Sequence, residues 1–437
     1  MTIDASQFVQ WFRAATPYIH VHRNKTFVIK FDDDAVHSDG CNHLIHDLAL
    51  LNSLGIQLVL VYGTRASIEK LLHSEKLSLE YHKGMRVTTA AVMEYVKEAT
   101  GKLRIEIEAK LSMGLGNTPM SNAELRVGSG NYVTAKPLGI LDGIDFQFTG
   151  EIRSIDTNAI FARLAAGEIV LVPPLGYSTT GEVFNLSADK LASSLAIHLR
   201  ADKLIYLMEA DGLVDSNGRL IRQLLQDEAR ILLADTDETI PIHSYLDAAV
   251  NACAGGVQRA HLIDRKIDGA ILQELFTRDG SGTMISNSPY DVVRPAGIDD
   301  INGILELLEP LERQGVLVER SREKLELEID HFTVMERDGV IIACAALYPY
   351  PAEQTAEFAC LAVHADYNNE GRGEQLLALM EKAAARNQLK SIFALTTHAE
   401  HWFLERGYTN ATLADLPVER KSLYNFQRNS KVLIKKL

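Results

Sequence analysis

Over its first two thirds, the sequence alternates short apolar runs with segments whose apolar residues recur at helical spacing. Thr26–Phe31 and Ile56–Tyr62 are apolar runs of strand length. Between them, His43–Leu54 has helical spacing, and Gly55 closes it as a C-terminal cap. Further units of the same kind follow at Glu168–Pro173, Asp189–Leu199, Lys203–Met208 and Asn251–Gln258. The alternation predicts an α/β fold with a mostly parallel sheet and helices on both of its faces.

Charge, hydropathy and cysteine usage exclude several classes of protein. A formal net charge of −14 argues against a nucleic-acid-binding surface, which needs a basic face. The apolar runs are too short to span a membrane, and Met1–Gln10 lacks the basic start and apolar run of a signal peptide. The cysteines show neither metal-ligand nor disulfide spacing; they are Cys41, Cys253, Cys344 and Cys360. We therefore expect a cytoplasmic protein with no metal and no membrane or nucleic-acid partner.

A polar turn cluster, Ser286–Pro289, marks a domain boundary in a chain whose length suggests two or three domains. We expect one domain over residues 1–285 and a second, also α/β, over residues 291–437. In the second domain, strands are predicted at Asp291–Pro295, Phe332–Glu336, Val340–Tyr348, Phe358–Val363 and Ser391–Thr396. Helices are predicted at Ile298–Leu308, Lys324–Ile329, Gly371–Asn387 and His401–Arg406. Asp338-Gly339 is a strong signal for a hairpin turn between the second and third strands.

Six segments of the first domain match, in the same order, those of the amino acid kinase family, and they resemble most its N-acetylglutamate kinase branch. The segments are Phe27–Lys30, Leu54–Gly63, Lys83–Thr88, Asn185–Asp189, Glu209–Asp215 and Gly255–Asp264. The resemblance implies the kinase fold over most of residues 18–285. It also implies a homo-oligomer assembled through this domain, which is a hexamer in the relatives that it resembles.

The residues that the family uses for phosphoryl transfer are mostly replaced in this chain. Family kinases have paired glycines after the first strand, so that backbone N–H groups approach the phosphate. Phe31–Asp34 puts three carboxylates there, Gly63–Arg65 replaces a run of three glycines, and Ile242–Tyr245 lacks the family's lysine. Lys30 and Asp189 remain, although they also suit a strand end and a helix start. We expect a domain that kept the kinase fold and lost kinase activity.

The same resemblance implies a site for L-arginine as a feedback inhibitor. In the arginine-sensitive relatives, this site lies near an N-terminal helix and the segment that corresponds here to Asp268–Thr283. Phe8–Tyr18 has the apolar spacing of such a helix. The residues carried over to the effector site are Tyr18, Glu274, Gly280 and Gly282. Glu274 suits a guanidinium or α-amino group, and it equally suits a solvated helix surface.

A glycine-containing turn precedes the longest helical segment of the second domain. Its residues are Asn368, Asn369, Glu370, Gly371, Arg372 and Gly373. The glycines allow a tight turn whose N–H groups point at a pyrophosphate on the helix N-terminus, and Arg372 adds a charge-assisted contact. Together with the strands before it and Trp402–Tyr408 after it, this turn resembles that of the GNAT family of N-acetyltransferases. The resemblance implies acetyl-CoA as a cosubstrate.

The GNAT resemblance also assigns roles around the strand before this turn. Glu357 corresponds to the family's general base, acting directly or through water, or it only carries charge at the strand edge. N–H groups near Leu361 and Val363 are expected to polarise the thioester carbonyl. Phe403 stands where many members have the tyrosine that protonates the leaving thiolate. Because a thiol has a pKa of only about 8.5, Thr396 or a water molecule is the expected substitute.

A kinase-like domain joined to a GNAT domain resembles the amino-acid N-acetyltransferases that act first in arginine biosynthesis. Val318–Glu323 and Phe426–Lys431 are especially specific for that family. The resemblance implies transfer of the acetyl group to the α-amino group of L-glutamate, inhibited by L-arginine. The residues that it places at the two glutamate carboxylates are Arg320 and the Cys360 backbone for one, and Arg420 and Arg428 for the other. The basic residues of the last segment also suit a solvated face or the 3′-phosphate of coenzyme A.

Three alternatives stay open at this point. A working N-acetylglutamate kinase is the first, and the lost glycines count against it. The second is an arginine-sensing binding protein with a degenerate acetyltransferase domain, against which the retained turn and Glu357 count. The third is an acetyltransferase for protein amines, which would have no evident need for Arg320, Arg420 and Arg428 together.

Overall fold

The computed structural model describes residues 5–114, 116–210, 212–215, 217–237, 240–277, 280–288, 291–337, 339–368, 371–426 and 428–437. The chain divides into two compact units, Met1–Pro289 and Tyr290–Leu437. Within the described ranges, no helix has both the length and the apolar content needed to cross a membrane. The predicted turn residue Asp338 and the predicted coenzyme residues Asn369 and Glu370 lie outside the described residues.

The first unit interleaves helices with strands. Its helices are α1 (Ala5–His22), α2 (Asp33–His37), α3 (Cys41–Ser53), α4 (Arg65–Ser74), α5 (Ala90–Leu111), α6 (Thr157–Ala165), α7 (Ala188–His198), α8 (Gln226–Asp235), α9 (Pro241–Ala254) and α10 (Ala270–Phe276). Its strands are β1 (Thr26–Phe31), β2 (Gln57–Tyr62), β3 (Tyr81–His82), β4 (Met85–Arg86), β5 (Val127–Ser129), β6 (Val133–Pro137), β7 (Ile140–Leu141), β8 (Ile144–Asp145), β9 (Gly150–Ile155), β10 (Ile169–Val172), β11 (Leu175–Tyr177), β12 (Val183–Asn185), β13 (Lys203–Met208), β14 (Gln223–Leu225), β15 (Arg259–Asp264) and β16 (Thr283–Ser286).

Eight strands form the main sheet of this unit, in the order β14-β16-β15-β13-β1-β2-β10-β5. Neighbours in this order are parallel, apart from the antiparallel pair β15 and β16. Successive side chains of β1 point to opposite faces, so Val28 packs with α7 and α9 while Phe27 and Ile29 pack with α3 and α10. The predicted parallel sheet with helices on both faces is confirmed. A smaller sheet, in the order β12-β11-β6-β9, was not predicted.

The second unit is built around one mixed sheet. Its helices are α11 (Ile301–Arg313), α12 (Arg322–Glu328), α13 (Arg372–Arg386), α14 (Glu400–Leu404) and α15 (Val418–Ser422). Its strands are β17 (Val292–Pro295), β18 (Phe332–Arg337), β19 (Val340–Tyr350), β20 (Thr355–Val363), β21 (Ser391–Thr396), β22 (Thr409–Ala411) and β23 (Lys431–Lys436). The sheet order is β17-β18-β19-β20-β21-β23-β22. Helix α11 covers one face and α13 the other, with Leu376, Leu377 and Met380 of α13 buried as their spacing predicts.

Candidate active site and effector region

A bulge in β20 shapes the centre of the second unit. Two residues of β20, Cys360 and Leu361, stand opposite a single residue of β19. Cys360 has a φ of +54°, in the left-handed region that non-glycine residues rarely occupy. As a result, Ala359 and Cys360 both pack on the α11 side, whereas Leu361 packs toward α13. The bulge therefore changes the face of the sheet to which the β20 side chains point, next to the predicted catalytic positions.

The strands β20 and β21 separate part way along their length. In the described residues, their parallel ladder ends where Phe358 pairs with Ala394. Beyond this point the backbone at Leu361 and Val363 has no strand partner on the β21 side. Backbone N–H groups in such a gap are available to a bound carbonyl group, which is the arrangement that the sequence predicted for the thioester.

The chain between β20 and α13 makes the turn predicted to hold a pyrophosphate. Gly371 ends this turn with a φ of +74° and directly precedes α13. A Cβ atom on Gly373 would lie 3.5 Å from the Leu361 side chain, so the helix begins close to the bulged strand. The N-terminus of α13, where helix N–H groups lack intrahelical partners, lies at this turn.

Arg372, the first residue of α13, points into the protein. Only 4% of its side chain is exposed. Its Nε donates to Oδ2 of Asp291 at 2.8 Å, and its Nη1 donates to the carbonyl of Tyr367 at 3.0 Å. The guanidinium group therefore holds the turn from the interior of the protein. The backbone N–H of Arg372, rather than its side chain, is then suited to contact a coenzyme.

Glu357 on β20 and Arg420 on α15 form a bidentate ion pair. Nε of Arg420 lies 2.6 Å from Oε2 of Glu357, and Nη2 lies 3.1 Å from Oε1. Burial opposes the charge of Arg420, but the hydrogen bonds and charge of Glu357 raise the pKa of this guanidinium group. Each carboxylate oxygen keeps a second lone pair, so Glu357 is still able to accept a proton from a substrate.

Arg320 lies in the loop between α11 and α12. Its guanidinium group is 5.9 Å from the ring centroid of Tyr348, and its buried Nε lies 3.6 Å from Oε2 of Glu328, without a hydrogen-bond partner among the described residues. Burial raises the pKa of the Cys360 thiol to about 11, and the positive charge of Arg320 opposes this rise. The positive charge of Arg320 also opposes the rise in the pKa of Arg420. Arg320 therefore interacts electrostatically with both Cys360 and Arg420. The structure thus gathers these predicted acceptor-site residues into one region.

Arg428 and Thr396 make contacts that the sequence did not predict. Nη2 of Arg428 donates to the carbonyls of Gly315 and Val316, at 3.0 and 2.7 Å, and so anchors the loop between α11 and α12. Oγ1 of Thr396 accepts a hydrogen bond from the backbone N–H of Ala399 at 2.8 Å, just before α14. Thr396 still has its hydroxyl proton to donate, because it uses only acceptor capacity there.

In the first unit, an internal ion-pair cluster occupies the end of β1. Nζ of Lys30 lies 2.8 Å from carboxylate oxygens of both Asp32 and Asp189, and it donates to the hydroxyl of Tyr245 at 3.2 Å. Burial opposes the charge of Lys30, but Asp189 and Asp32 raise its pKa well above its ordinary value. Asp32 also lies against Gly63, where a Cβ atom would clash with its carboxylate. Side chains therefore fill the region where a kinase would receive phosphate.

Glu274 of α10 holds the loop that carries Gly280 and Gly282. Its Oε2 accepts hydrogen bonds from the N–H groups of Ser281 and Gly282, at 2.7 and 2.9 Å, and its Oε1 lies 2.7 Å from Nδ1 of His261. Burial opposes the charge, but these partners lower the pKa of Glu274 to about 2. A Cβ atom on Gly280 would clash with Glu274, and one on Gly282 would clash with the backbone of β15. The structure brings these three predicted residues together.

Helix α1 packs beside α10, which carries Glu274. Nε2 of His22 donates to the carbonyl of Leu275 at 2.9 Å, and Tyr18 packs in the same apolar cluster as Leu275. The sequence analysis missed Lys203 and His261, whose Nζ and Nε2 atoms lie 3.4 Å apart next to this region. Their signal in the sequence is weak, because Lys203 is a charged residue at the start of an otherwise largely apolar strand and His261 is one of three polar residues in β15.

Comparisons with known proteins agree with both units. Residues 25–264 match the amino acid kinase family, and residues 301–408 match the acetyltransferase (GNAT) family. The amino-acid acetyltransferase of Pseudomonas fluorescens (strain Pf0-1) is 48% identical over 431 residues, which cover 99% of this chain and 100% of the relative.

Two solved structures of one relative cover nearly the whole chain. The N-acetylglutamate synthase of Neisseria gonorrhoeae complexed with coenzyme A and L-arginine is 37% identical, with a TM-score of 0.91. Its complex with coenzyme A and N-acetyl-glutamate gives a TM-score of 0.64. Each comparison covers 98% of this chain and 99% of the other chain.

The fold and the site define an acyltransferase in which a GNAT unit follows an amino acid kinase unit. The chain belongs to the family of amino-acid acetyltransferases, and it takes acetyl-CoA as its cosubstrate. In the described part of the chain, no group of three or more His, Cys, Asp or Glu side chains is placed to hold a metal ion.

Proposed function

We propose that this enzyme transfers the acetyl group of acetyl-CoA to the α-amino group of L-glutamate, as the first step of arginine biosynthesis. The observation that carries the proposal is the grouping of Arg320, Arg420 and Glu357 beside the bulge of β20. The guanidinium group of Arg320 suits one carboxylate of glutamate, and that of Arg420, which glutamate would share with Glu357, suits the other; the Glu357 carboxylate suits a general base. The complex of the gonococcal synthase with N-acetyl-glutamate supports this acceptor.

In the proposed mechanism, Glu357 takes a proton from the α-amino group of glutamate, either directly or through a water molecule. The neutral amine then attacks the thioester carbonyl, which N–H groups near Leu361 and Val363 polarise in the gap between β20 and β21. The C–S bond breaks, and the thiolate leaves. The attacking nitrogen, which becomes positively charged when the C–N bond forms, loses its second proton as the C–S bond breaks, and the hydroxyl of Thr396 or a water molecule relays that proton to the thiolate; little assistance is needed, because a thiol has a pKa of about 8.5.

The turn over residues 368–373 is the proposed binding site for the pyrophosphate of acetyl-CoA. Its support is the left-handed Gly371 and the helix N-terminus that follows, where the first N–H groups of a helix have no intrahelical acceptor and suit an anion. Asn368 precedes Gly371 in this segment and Gly373 is the second residue of α13, and the roles of Asn369 and Glu370 stay predictions. Arg372 serves this site through its backbone, since its side chain is already bound to Asp291.

We further propose that L-arginine binds in the first unit near Glu274 and inhibits the enzyme. Three observations support this site: the buried ionised carboxylate of Glu274, the loop of Gly280 and Gly282 that it organises, and the packing of Tyr18 beside the same helix. The gonococcal synthase in complex with L-arginine supports the effector itself.

A homo-oligomer, a hexamer by resemblance, and a cytoplasmic location complete the proposal. Phe8, Trp11 and Phe12 on α1 each expose about half of their surface, and Phe8 stacks on Phe12 with ring centroids 6.0 Å apart. An exposed apolar stripe of this kind suits contact with another subunit. The cysteines are buried free thiols, which suits a reducing compartment. Sedimentation analysis of the purified chain tests the assembly, and a monomer would contradict it.

The acceptor site is tested by Arg320→Gln. Because a lost charge-assisted hydrogen bond is worth roughly tenfold or more in binding, the variant should raise the KM for glutamate about ten- to hundredfold. The KM for acetyl-CoA should stay within about twofold, because the proposed coenzyme turn lies elsewhere. Steady-state kinetics with each substrate varied in turn measure both constants.

Arg313→Gln is the matched control for this experiment. Arg313 is also an arginine at the α11 end of the unit, but its side chain is 74% exposed and pairs with Glu309 on the same helix. Removing an exposed pair of this kind changes little. An Arg320→Gln enzyme whose glutamate KM equals that of the control would contradict the proposed acceptor pocket.

A further inference from the structure

Asp291, the first described residue of the second unit, binds two buried arginines. Its Oδ2 accepts a hydrogen bond from Nε of Arg372 at 2.8 Å, and its Oδ1 accepts one from Nε of Arg337 at 2.6 Å. The exposed fraction of the side chain is 18% for Asp291, 10% for Arg337 and 4% for Arg372. Charge-assisted hydrogen bonds in such a partly desolvated place are strong and directional.

Tyr367 joins the same cluster from the other side of the coenzyme turn. The guanidinium groups of Arg337 and Arg372 each lie 5.3 Å from the centroid of its ring. The carbonyl of Tyr367 also accepts a hydrogen bond from Nη1 of Arg372 at 3.0 Å. Since Tyr367 precedes the turn and Arg372 follows Gly371, one buried cluster fixes both ends of the turn.

The position of Asp291 in the chain connects this cluster to the edge of the sheet. Asp291 directly precedes β17, and Arg337 is the last residue of β18, which pairs with β17. The carboxylate therefore ties the turn to the first strand pair of the unit. Of the residues proposed above for coenzyme binding, Arg372 is the one for which the described part of the chain shows this connection.

We propose that Asp291 is a positioning residue for coenzyme binding. It acts through Arg372 and Arg337, which hold Gly371 and the N-terminus of α13 in the geometry that receives the pyrophosphate. Asp291 does not itself touch the coenzyme. This inference rests on the proposed role of the turn over residues 368–373.

Asp291→Asn tests the inference, because it keeps the size of the side chain and removes its charge. The KM for acetyl-CoA, and the Kd for coenzyme A measured by calorimetry, should each rise about tenfold, since charge-assisted hydrogen bonds hold the turn. The KM for glutamate should change by less than about twofold, because the acceptor site lies on a different part of the unit. Asp291→Glu, which restores the carboxylate, should recover part of the coenzyme affinity.

Asp300→Asn is the matched control, since it breaks a similar ion pair that is not attached to the turn. Asp300 accepts hydrogen bonds from Nη1 and Nη2 of Arg294, at 2.6 and 2.8 Å, and from the N–H of Gly297. Its loss should lower stability without changing the KM for acetyl-CoA. A general loss of stability would change the KM for acetyl-CoA in both variants. Loss of the proposed positioning role would raise it in Asp291→Asn alone.

Equal coenzyme affinities in Asp291→Asn and Asp300→Asn would overturn the inference and leave the proposed function standing. A wild-type enzyme that fails to acetylate glutamate would instead overturn the proposed function. Should Asp291→Asn fail to fold, Arg337→Gln removes one hydrogen bond of Asp291 and leaves its bond to Arg372. This variant should show a smaller rise in the KM for acetyl-CoA, and no rise would also overturn the inference.

Discussion

Individual buried charges in this chain are each held by several polar partners. Glu274 remains ionised because two backbone N–H groups and His261 face its oxygens. Burial and the charge of Lys203 lower the pKa of His261, so we infer that the imidazole is neutral at pH 7 and donates from Nδ1. Three acceptor positions of Glu274 are thus filled by the protein, and of the roughly four lone-pair sites of a carboxylate one remains for a cationic effector.

The pKa of Glu274 makes the stability of the first unit depend on pH. The pKa falls from 4.5 to about 2 on folding. The ionised group therefore stabilises the folded unit above about pH 4.5, and this contribution is lost as the pH falls toward about 2. Glu274→Gln should lower the free energy of unfolding at pH 7 by about 3 kcal/mol.

Urea unfolding of the wild type and of Glu274→Gln at a series of pH values measures this effect. The difference between the two proteins should narrow as the pH falls through the window between the two pKa values. Glu94→Gln is a suitable control, because the Glu94 side chain is 72% exposed and pairs only with its helix neighbour Lys97 among the ion pairs described. A difference that stays constant from pH 7 to pH 3 would contradict the assigned pKa.

The side-chain contacts of Arg372 are an example of what a sequence motif does not predict for a single residue. The pattern correctly indicates a glycine turn before a helix, and it suggests a cationic side chain next to a pyrophosphate. The structure turns that side chain inward to Asp291, which precedes it by 81 positions. The packing of strands that are distant in the sequence decides which carboxylate lies close enough to bind this arginine. The local sequence pattern therefore does not predict the partner.

At the scale of elements, the Lys30 cluster joins β1 to two helices. Asp189 belongs to α7 and Tyr245 to α9, so three segments meet at one buried ammonium group. Removing one partner of a buried ion pair typically costs 3–5 kcal/mol, because the other charge loses its compensation. The cluster that replaces the kinase glycines is therefore expected to contribute to the stability of the unit.

Asp32→Ala tests this contribution. It should lower the free energy of unfolding of the first unit by about 3 kcal/mol, because Lys30 would keep only part of its compensating charge. Asp34→Ala, two residues further along at an exposed position, should change it by less than about 0.5 kcal/mol. Denaturant titrations of the two variants measure the difference. Equal stabilities would contradict a structural role for the cluster.

The elements whose bounds the sequence predicts well are strands with a continuous apolar pattern in their own residues. The bounds of β1, β13 and β21 agree with prediction residue for residue, because each is an uninterrupted, mostly apolar run flanked by polar residues. Strand β23 is not predicted from the sequence, because Lys431, Lys435 and Lys436 give this segment the composition of a solvated basic surface. It pairs with β21 and β22, and Lys431 and Lys435 bind Glu400 on α14 and Glu381 on α13. Such pairing depends on tertiary contacts.

At the scale of the whole molecule, the proposal joins an effector site in one unit to a catalytic site in the other. If arginine and acetyl-CoA prefer different conformations of the enzyme, the binding of each lowers the affinity for the other. If arginine weakens acetyl-CoA binding by a given factor, acetyl-CoA weakens arginine binding by the same factor. Asp291, the first described residue of the second unit, is bound to Arg372 at the coenzyme turn.

Release of the coenzyme A thiol from acetyl-CoA with L-glutamate, measured in the presence and absence of L-arginine, tests the proposed reaction and its regulation together. We predict glutamate-dependent release that arginine suppresses. Release that arginine does not affect would keep the proposed reaction and remove the proposed regulation. No release with glutamate, together with release in the presence of other amines, would contradict the assignment of glutamate as the acceptor.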